Sequence, residues 1–150
     1  MQAQILGPAA VLIAWTLIML VWMAATRLPA MKKVSGGGLE KARPGGRGQD
    51  LDGVIPDKVQ WKAHNYMHLM EQPTIFYPAV VILAIMGAGA LDVVFAWIYV
   101  VLRIVHSVYQ STVNVVAVRF LLFMLATLSL VYLAARAVIA TLFADPAVLV

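Results

Sequence analysis

There is no cysteine in this chain of 150 residues. That excludes a disulfide framework, a thiolate metal site and a protein thiol nucleophile, so any thiol chemistry must use a thiol brought in by a ligand. Charge is the second shortage. Asp, Glu, Lys and Arg make up 12% of the residues and hydrophobic residues 63%, whereas a soluble domain is about a quarter charged and nearer half apolar. So little polar surface cannot cover a soluble body, and the composition places the chain in a bilayer. The length suits one domain, and no internal repeat is visible. The net charge is +4, but eight of the eleven Lys and Arg lie between Arg27 and Lys62. A dispersed basic segment beside membrane spans reads as an orientation signal, not as a nucleic-acid surface.

What the chain has instead is long apolar runs. The first, ILGPAAVLIAWTLIMLVWMAAT at 5–26, holds no charge and is long enough to cross a hydrocarbon core of about 30 Å. No Lys or Arg precedes it and Arg27 follows it, the reverse of a secretory signal, so it reads as a retained helix. Pro8 falls near its start, where a missing N–H costs little. A basic loop over 27–61 follows. Its GGG and RPGGRG stretches disfavour a helix, since Gly costs about 1 kcal/mol and Pro about 3 kcal/mol per helical site. Further spans are expected at about 62–87, 93–113 and 115–143. Only helices satisfy their own backbone in such segments, so the expected fold is all-α, an antiparallel four-helix membrane bundle. The turn at 87–92 and the tail ADPAVLV lack Lys and Arg. The basic loop is therefore expected on the cytoplasmic side, with both termini opposite, and the pattern suits a bacterial inner membrane.

The polar residues inside the spans are few and grouped. His64, His68 and Glu71 are spaced by four and three, and so share a helical face, with Asn65 and Gln72 on its flank. Arg103, His106 and Gln110 repeat that spacing late in the third span, and Arg119 opens the fourth. Ionisable groups at a span's centre cost about 2.5–3.5 kcal/mol each. A headgroup contact would explain either arginine alone, and one shared polar pocket explains Glu71, Arg103, His106 and Arg119 together, with Glu71 pairing with an arginine. His64, His68 and Glu71, with His106 as a fourth, also make a chemically sensible ligand set for zinc or iron, although too few carboxylates are present for a di-iron bundle. Pro73 and Pro78 are expected to kink the second helix and widen a cleft above Glu71.

These residues, in this order, resemble the MAPEG family, the membrane-associated proteins in eicosanoid and glutathione metabolism. The resemblance rests on the four spans, the basic first loop, MEQPTIFYP in the second span, RIVHSVYQ late in the third and Arg119 opening the fourth. It implies a homotrimer that binds glutathione between subunits near the cytoplasmic side, with a lipophilic second substrate from the membrane lipid. By residue, it implies that Glu71 meets the amino end of the peptide and that Arg103 and His106 line the pocket. Arg119 would stabilise the thiolate, and Arg27 would reach the ligand. His68 and Gln110 fall at pocket positions where the family often has Asn and Tyr, Met67 where eicosanoid-forming members have Arg, and Phe120 where a serine often follows the fourth-span arginine. Two other classes remain open beside a glutathione transferase or peroxidase. One is a non-catalytic subunit of a larger membrane complex. The other is a metal- or haem-binding helical subunit using His64, His68 or His106.

Overall fold

The computed structural model describes residues 3–35 and 44–144. The GGG stretch at 36–38 and the tail from 145 lie outside the described residues. Five α-helices account for four lengths of chain long and apolar enough to cross a membrane: α1 (Leu6–Ser35), α2 (Asp57–Leu69) followed by α3 (Pro73–Met86), α4 (Ala90–Thr112) and α5 (Val116–Leu142). Among the described residues no strand occurs, and the one further helical element is a short 3-10 turn at Gly48–Leu51.

The helix boundaries differ from the sequence reading in three places: α2 begins at Asp57, not at about 62, and the other two differences have local causes. The first helix does not stop at residue 26 but carries on to Ser35 through Pro29, so Arg27, Lys32 and Lys33 are helical. Leu, Ala, Met and Lys in this stretch are good helix formers, and the two lysines fall in the last turn, where the negative end of the helix dipole favours cations. Thr26 Oγ1 donates to Trp22 O (3.0 Å) and Met23 O (3.1 Å), in the turn before the proline. The second span is not one kinked helix but two helices. Pro73 has no N–H to offer the carbonyl of Leu69, and its ring would clash with that carbonyl. α2 accordingly ends at Leu69, and Pro73 becomes the first residue of α3, a position where the missing donor costs nothing. Pro78 lies inside α3.

The turns between spans are tight. α3 ends on Gly87 at φ +98°, a left-handed conformation that favours glycine. Asn114 at φ +64° makes the α4–α5 corner, with its N–H on Tyr109 O at 2.9 Å; asparagine is among the few side-chain-bearing residues that tolerate this region. α4 is the central helix and packs on α5, α2 and α1, while α3 packs on α5 and α1. The apolar core runs through Leu12, Met19, Phe76, Val80, Leu83, Val100 and Leu133. Phe76 stacks on Tyr99 at 4.4 Å and Phe95 on Tyr132 at 4.1 Å. The outer faces are as apolar as the core, with Val21, Ile85, Leu121 and Leu142 all exposed. Lipid is as apolar as these side chains, so packing and interhelical hydrogen bonds hold such helices together, not exclusion from water.

Those hydrogen bonds concentrate in two places. Near the chain's Gly87 turn, Asp92 is buried and receives Arg136 Nε (3.1 Å) and Nη2 (3.3 Å) from α5, and Gly89 N at 2.8 Å. At the other end, a larger polar set lies where α2 meets α4.

Candidate functional site

The centre of that set is Arg103. Its side chain is fully buried at 0% exposure, deep in α4, where an unpaired charge is not tolerated. The break after Leu69 provides its acceptors. His68 O, whose helical donor would be the N–H of Gln72, instead receives Arg103 Nη2 at 2.8 Å, and Arg103 Nη1 faces His68 Nε2 at 3.2 Å. Guanidinium groups only donate, so Nε2 of His68 accepts and the ring proton sits on Nδ1. That nitrogen lies 2.8 Å from Glu71 Oε2, to which it donates. The chain Arg103, His68, Glu71 thus fixes one tautomer and leads from the bundle interior to an exposed carboxylate. Glu71 pairs with His68; among the described residues it forms no ion pair with an arginine, contrary to the sequence expectation.

Beside this chain is a cleft of about 440 Å³, within the size range of small-molecule sites. His68, Glu71, His106, Gln110 and Arg119 all line it, so five of the expected site residues converge from α2, α4 and α5. Met67, Val116, Phe120 and Phe123 form an apolar wall. His106 is 3% exposed and meets the His68 ring at 5.0 Å between centroids. Arg119 Nε and Gln110 Oε1 are buried atoms without a hydrogen-bond partner among the described residues. A buried polar atom normally has a partner, and here the cleft is the space into which these side chains open.

Two expected site residues are not in the lining. Arg103 acts through His68, as above. Arg27 donates through Nη2 to Gly48 O in the segment between α1 and α2, and so reaches the cleft only indirectly: the next residue, Gln49, is one of its walls. A Cβ at Gly48 would come within 2.9 Å of the Arg27 guanidinium, so a larger residue there would make the Arg27 side chain shift. The same segment is fastened to α2 by Asp52, whose Oδ1 accepts from Gln60 Nε2 at 2.5 Å and meets His64 Nε2 at 3.0 Å. These bonds, Gln60 first, hold the Asp52 carboxyl below the ordinary carboxylate range. Lys62 lies over the Trp22 ring at 5.5 Å and ties α2 to α1 nearby.

His64 is therefore engaged with Asp52, not with His68. No group of three or more His, Asp or Glu among the described residues gathers as a metal site. Of the candidate ligands His64, His68, Glu71 and His106, His64 turns to Asp52, while His68 and Glu71 pair with each other.

Sequence reasoning missed Ser107 and Gln49, and placed Gln72 beside the site without its partners. Ser107 Oγ receives Trp15 Nε1 (3.0 Å) and Asn65 Nδ2 (2.6 Å), joining α1, α2 and α4. Gln72 donates to Thr127 Oγ1 (2.9 Å) and accepts from Tyr99 OH (3.3 Å), bridging α4 and α5 at the break. Gln49 sits in a loop with no periodicity to mark it. For Ser107 a signal existed, since it lies one turn beyond Arg103 on the face that α4 buries.

The comparisons with known proteins agree with this architecture. No curated protein and no solved structure gives a significant match. The MAPEG family model matches residues 5–139, nearly the whole chain and all four membrane-spanning lengths. An all-helical integral membrane protein with four membrane-spanning lengths, this chain belongs to the MAPEG family.

Proposed function

We propose that the cleft binds glutathione and that the protein is a glutathione-dependent transferase or peroxidase acting on lipophilic electrophiles, assembled as a homotrimer with the loop side facing the cytoplasm. The observation that carries this reading is the pairing of Arg119, with its unpartnered Nε, and the apolar wall of Val116, Phe120 and Phe123 in one cleft. A peptide thiol needs polar partners, a lipophilic electrophile needs an apolar surface, and both are present within the same 440 Å³.

The groups suit the ligand. Glu71 is an exposed carboxylate that complements the ammonium end of glutathione, and Gln110 and Arg119 complement its amides and carboxylates. A free thiol has a pKa near 8.5, and a neighbouring guanidinium lowers it. With Arg119 holding the thiolate, sulfur attacks an electrophilic carbon, the C–S bond forms, and the leaving group departs with its electron pair. With a hydroperoxide, sulfur attacks the terminal oxygen, the O–O bond breaks, and the alkoxide takes a proton. A second glutathione then converts the sulfenic acid to the disulfide, releasing water. Arg103 supports the site through His68 in either case.

Calorimetric titration of glutathione into the purified protein, with Arg119→Ala as control, tests the proposal. Saturable binding is expected in both, with thiolate absorbance near neutral pH only in the wild type. No binding to the wild type would favour the second reading, a non-catalytic membrane subunit; Phe120, with no hydroxyl to offer beside Arg119, is the observation on its side. Native mass spectrometry in detergent checks the trimer. Reporter fusions at residues 45 and 90 check that the loop and the α3–α4 turn lie on opposite sides, with 45 cytoplasmic.

A further inference from the structure

We infer that residues 47–55, ahead of α2, are a fastened wall of the cleft and that Gln49 is a ligand-recognition residue, which makes Arg27 a positioning residue and not a ligand contact. The part concerning the ligand rests on the glutathione reading; the part concerning the wall does not.

The inference starts from an unusual economy of partners. Gly48 O accepts from Arg27 of α1 and, at 3.5 Å, from Gln60 of α2. Asp52 Oδ1 takes Gln60 and His64, both of α2. Two acceptor atoms therefore clamp both ends of the 3-10 turn Gly48–Leu51 against two helices. Inside the turn, Arg47 N donates to Asp50 Oδ2 at 2.8 Å and Ile55 N to Leu51 O at 3.2 Å. Ile55 is buried at 3% exposure and anchors the end of the segment. A polar, exposed loop held this closely is not a slack connector. Within the clamped turn, Gln49 is the residue that lines the cleft, beside His64 and Glu71.

The chemistry of Gln49 suits a peptide. Its amide offers a carbonyl acceptor and two N–H donors, the complement of another amide or of a carboxylate. It supplies no charge, so it discriminates the polar backbone of a thiol peptide from a simple alkyl thiol and does not perturb the thiol itself. The sequence expectation that Arg27 reaches the ligand is then replaced by a more specific one: Arg27 acts through Gly48 on the position of Gln49.

The absence of cysteine makes the test clean. Gln49→Cys introduces the single thiol of this chain, and its reaction with a polar maleimide in detergent measures exposure of the wall. Labelling is expected to be slow, to accelerate at least about fivefold when Asp52→Ala or Arg27→Ala is added, and to slow further with saturating S-methylglutathione. Rates within about twofold across the clasp variants would overturn the fastened wall. If S-methylglutathione binds by calorimetry yet gives no protection, the recognition role of Gln49 is overturned while the glutathione reading stands. If it does not bind at all, the glutathione reading falls and with it the recognition role; the clasp is judged by the labelling rates alone. Gln49→Ala should weaken glutathione binding several-fold without moving the thiolate titration, a result that loss of Arg119 would not give.

Discussion

The two polar clusters of the bundle differ in how completely they are satisfied. Near the Gly87 turn, Asp92 accepts from Arg136 at both carboxylate oxygens and from Gly89 N. The result is a knot between α4 and α5. At the opposite end, Arg103 Nε, Gln110 Oε1, Asn65 Oδ1 and Arg119 Nε all lack partners among the described residues. Hydrogen bonds left unmade inside a membrane protein are costly, so a bundle that needed only stability would close the second cluster as it closes the first. Polarity that is satisfied serves the fold, and polarity that is left open, beside a cleft, serves a ligand.

The largest effect that tests this contrast is expected from Arg136→Ala. It removes the guanidinium partner of the buried Asp92 carboxylate, and the loss is expected at about 2 kcal/mol, below the roughly 3–5 kcal/mol of a fully buried pair, because the Arg136 side chain is 38% exposed and solvent screens it. Unfolding in detergent should report that loss, while glutathione affinity stays within about twofold. Abolished binding at unchanged stability would reverse the roles assigned to the two ends. Next comes Arg119→Ala. Its stability should change little, but the apparent pKa of bound thiol should rise by about one unit, or about 1.36 kcal/mol. Arg119→Lys should recover only part, because a point charge lacks the planar fork. Ultraviolet titration of the thiolate at saturating glutathione reads both; an alanine variant that matches the wild type would reduce Arg119 to an interfacial anchor.

A smaller effect is expected at Ser107, which belongs to the satisfied part of the open cluster. Ser107→Ala removes acceptors for Trp15 and Asn65. At an average of about 0.6 kcal/mol per interhelical bond in a membrane, the loss should be about 1 kcal/mol, seen as a shift in the unfolding midpoint. The smallest effect concerns pH. The carboxyl of Asp52 is held below its ordinary value, so its contribution to the clasp is fully present above the ordinary carboxylate pKa and is lost as the pH falls through the depressed one. A fluorine label attached through Gln49→Cys should change its resonance as the pH falls below the ordinary carboxylate range, and Asp52→Asn should remove that step. An identical step in Asp52→Asn would assign it to another group.

How much of this was legible in the sequence depends on distance along the chain. Arg103, His106 and Gln110 are neighbours at helical spacing, and the spacing alone places them on one face of α4; His68 and Glu71 meet at the same spacing although α2 ends between them, at Leu69. The four spans follow from composition in the same way. The end of α2 at Leu69 was half legible: Pro73 announced a disturbance, but whether a helix kinks there or restarts depends on what donates to the freed carbonyls, and Arg103, which donates to His68 O, lies 35 residues away. The partnership of Asp92 and Arg136 spans 44 residues, and nothing local in either segment names the other. The clasp of Gly48 and Asp52 was hidden for a different reason. It uses a backbone carbonyl and one carboxylate oxygen in a segment with no periodicity, and neither leaves a pattern in the residue types.

The partners chosen by the buried cations also bear on how the chain enters the membrane. A helix carrying an arginine is inserted reluctantly, at about 2.5–3.5 kcal/mol for a central position. Synthesis delivers α2 before α4, so the carbonyl of His68 precedes Arg103 into the bilayer. It also delivers α4 before α5, so Asp92 precedes Arg136. Each of these arginines arrives after its acceptor. The chain order itself spares both arginines from waiting in lipid for a later segment, whereas Asp92 meets its guanidinium only when α5 follows.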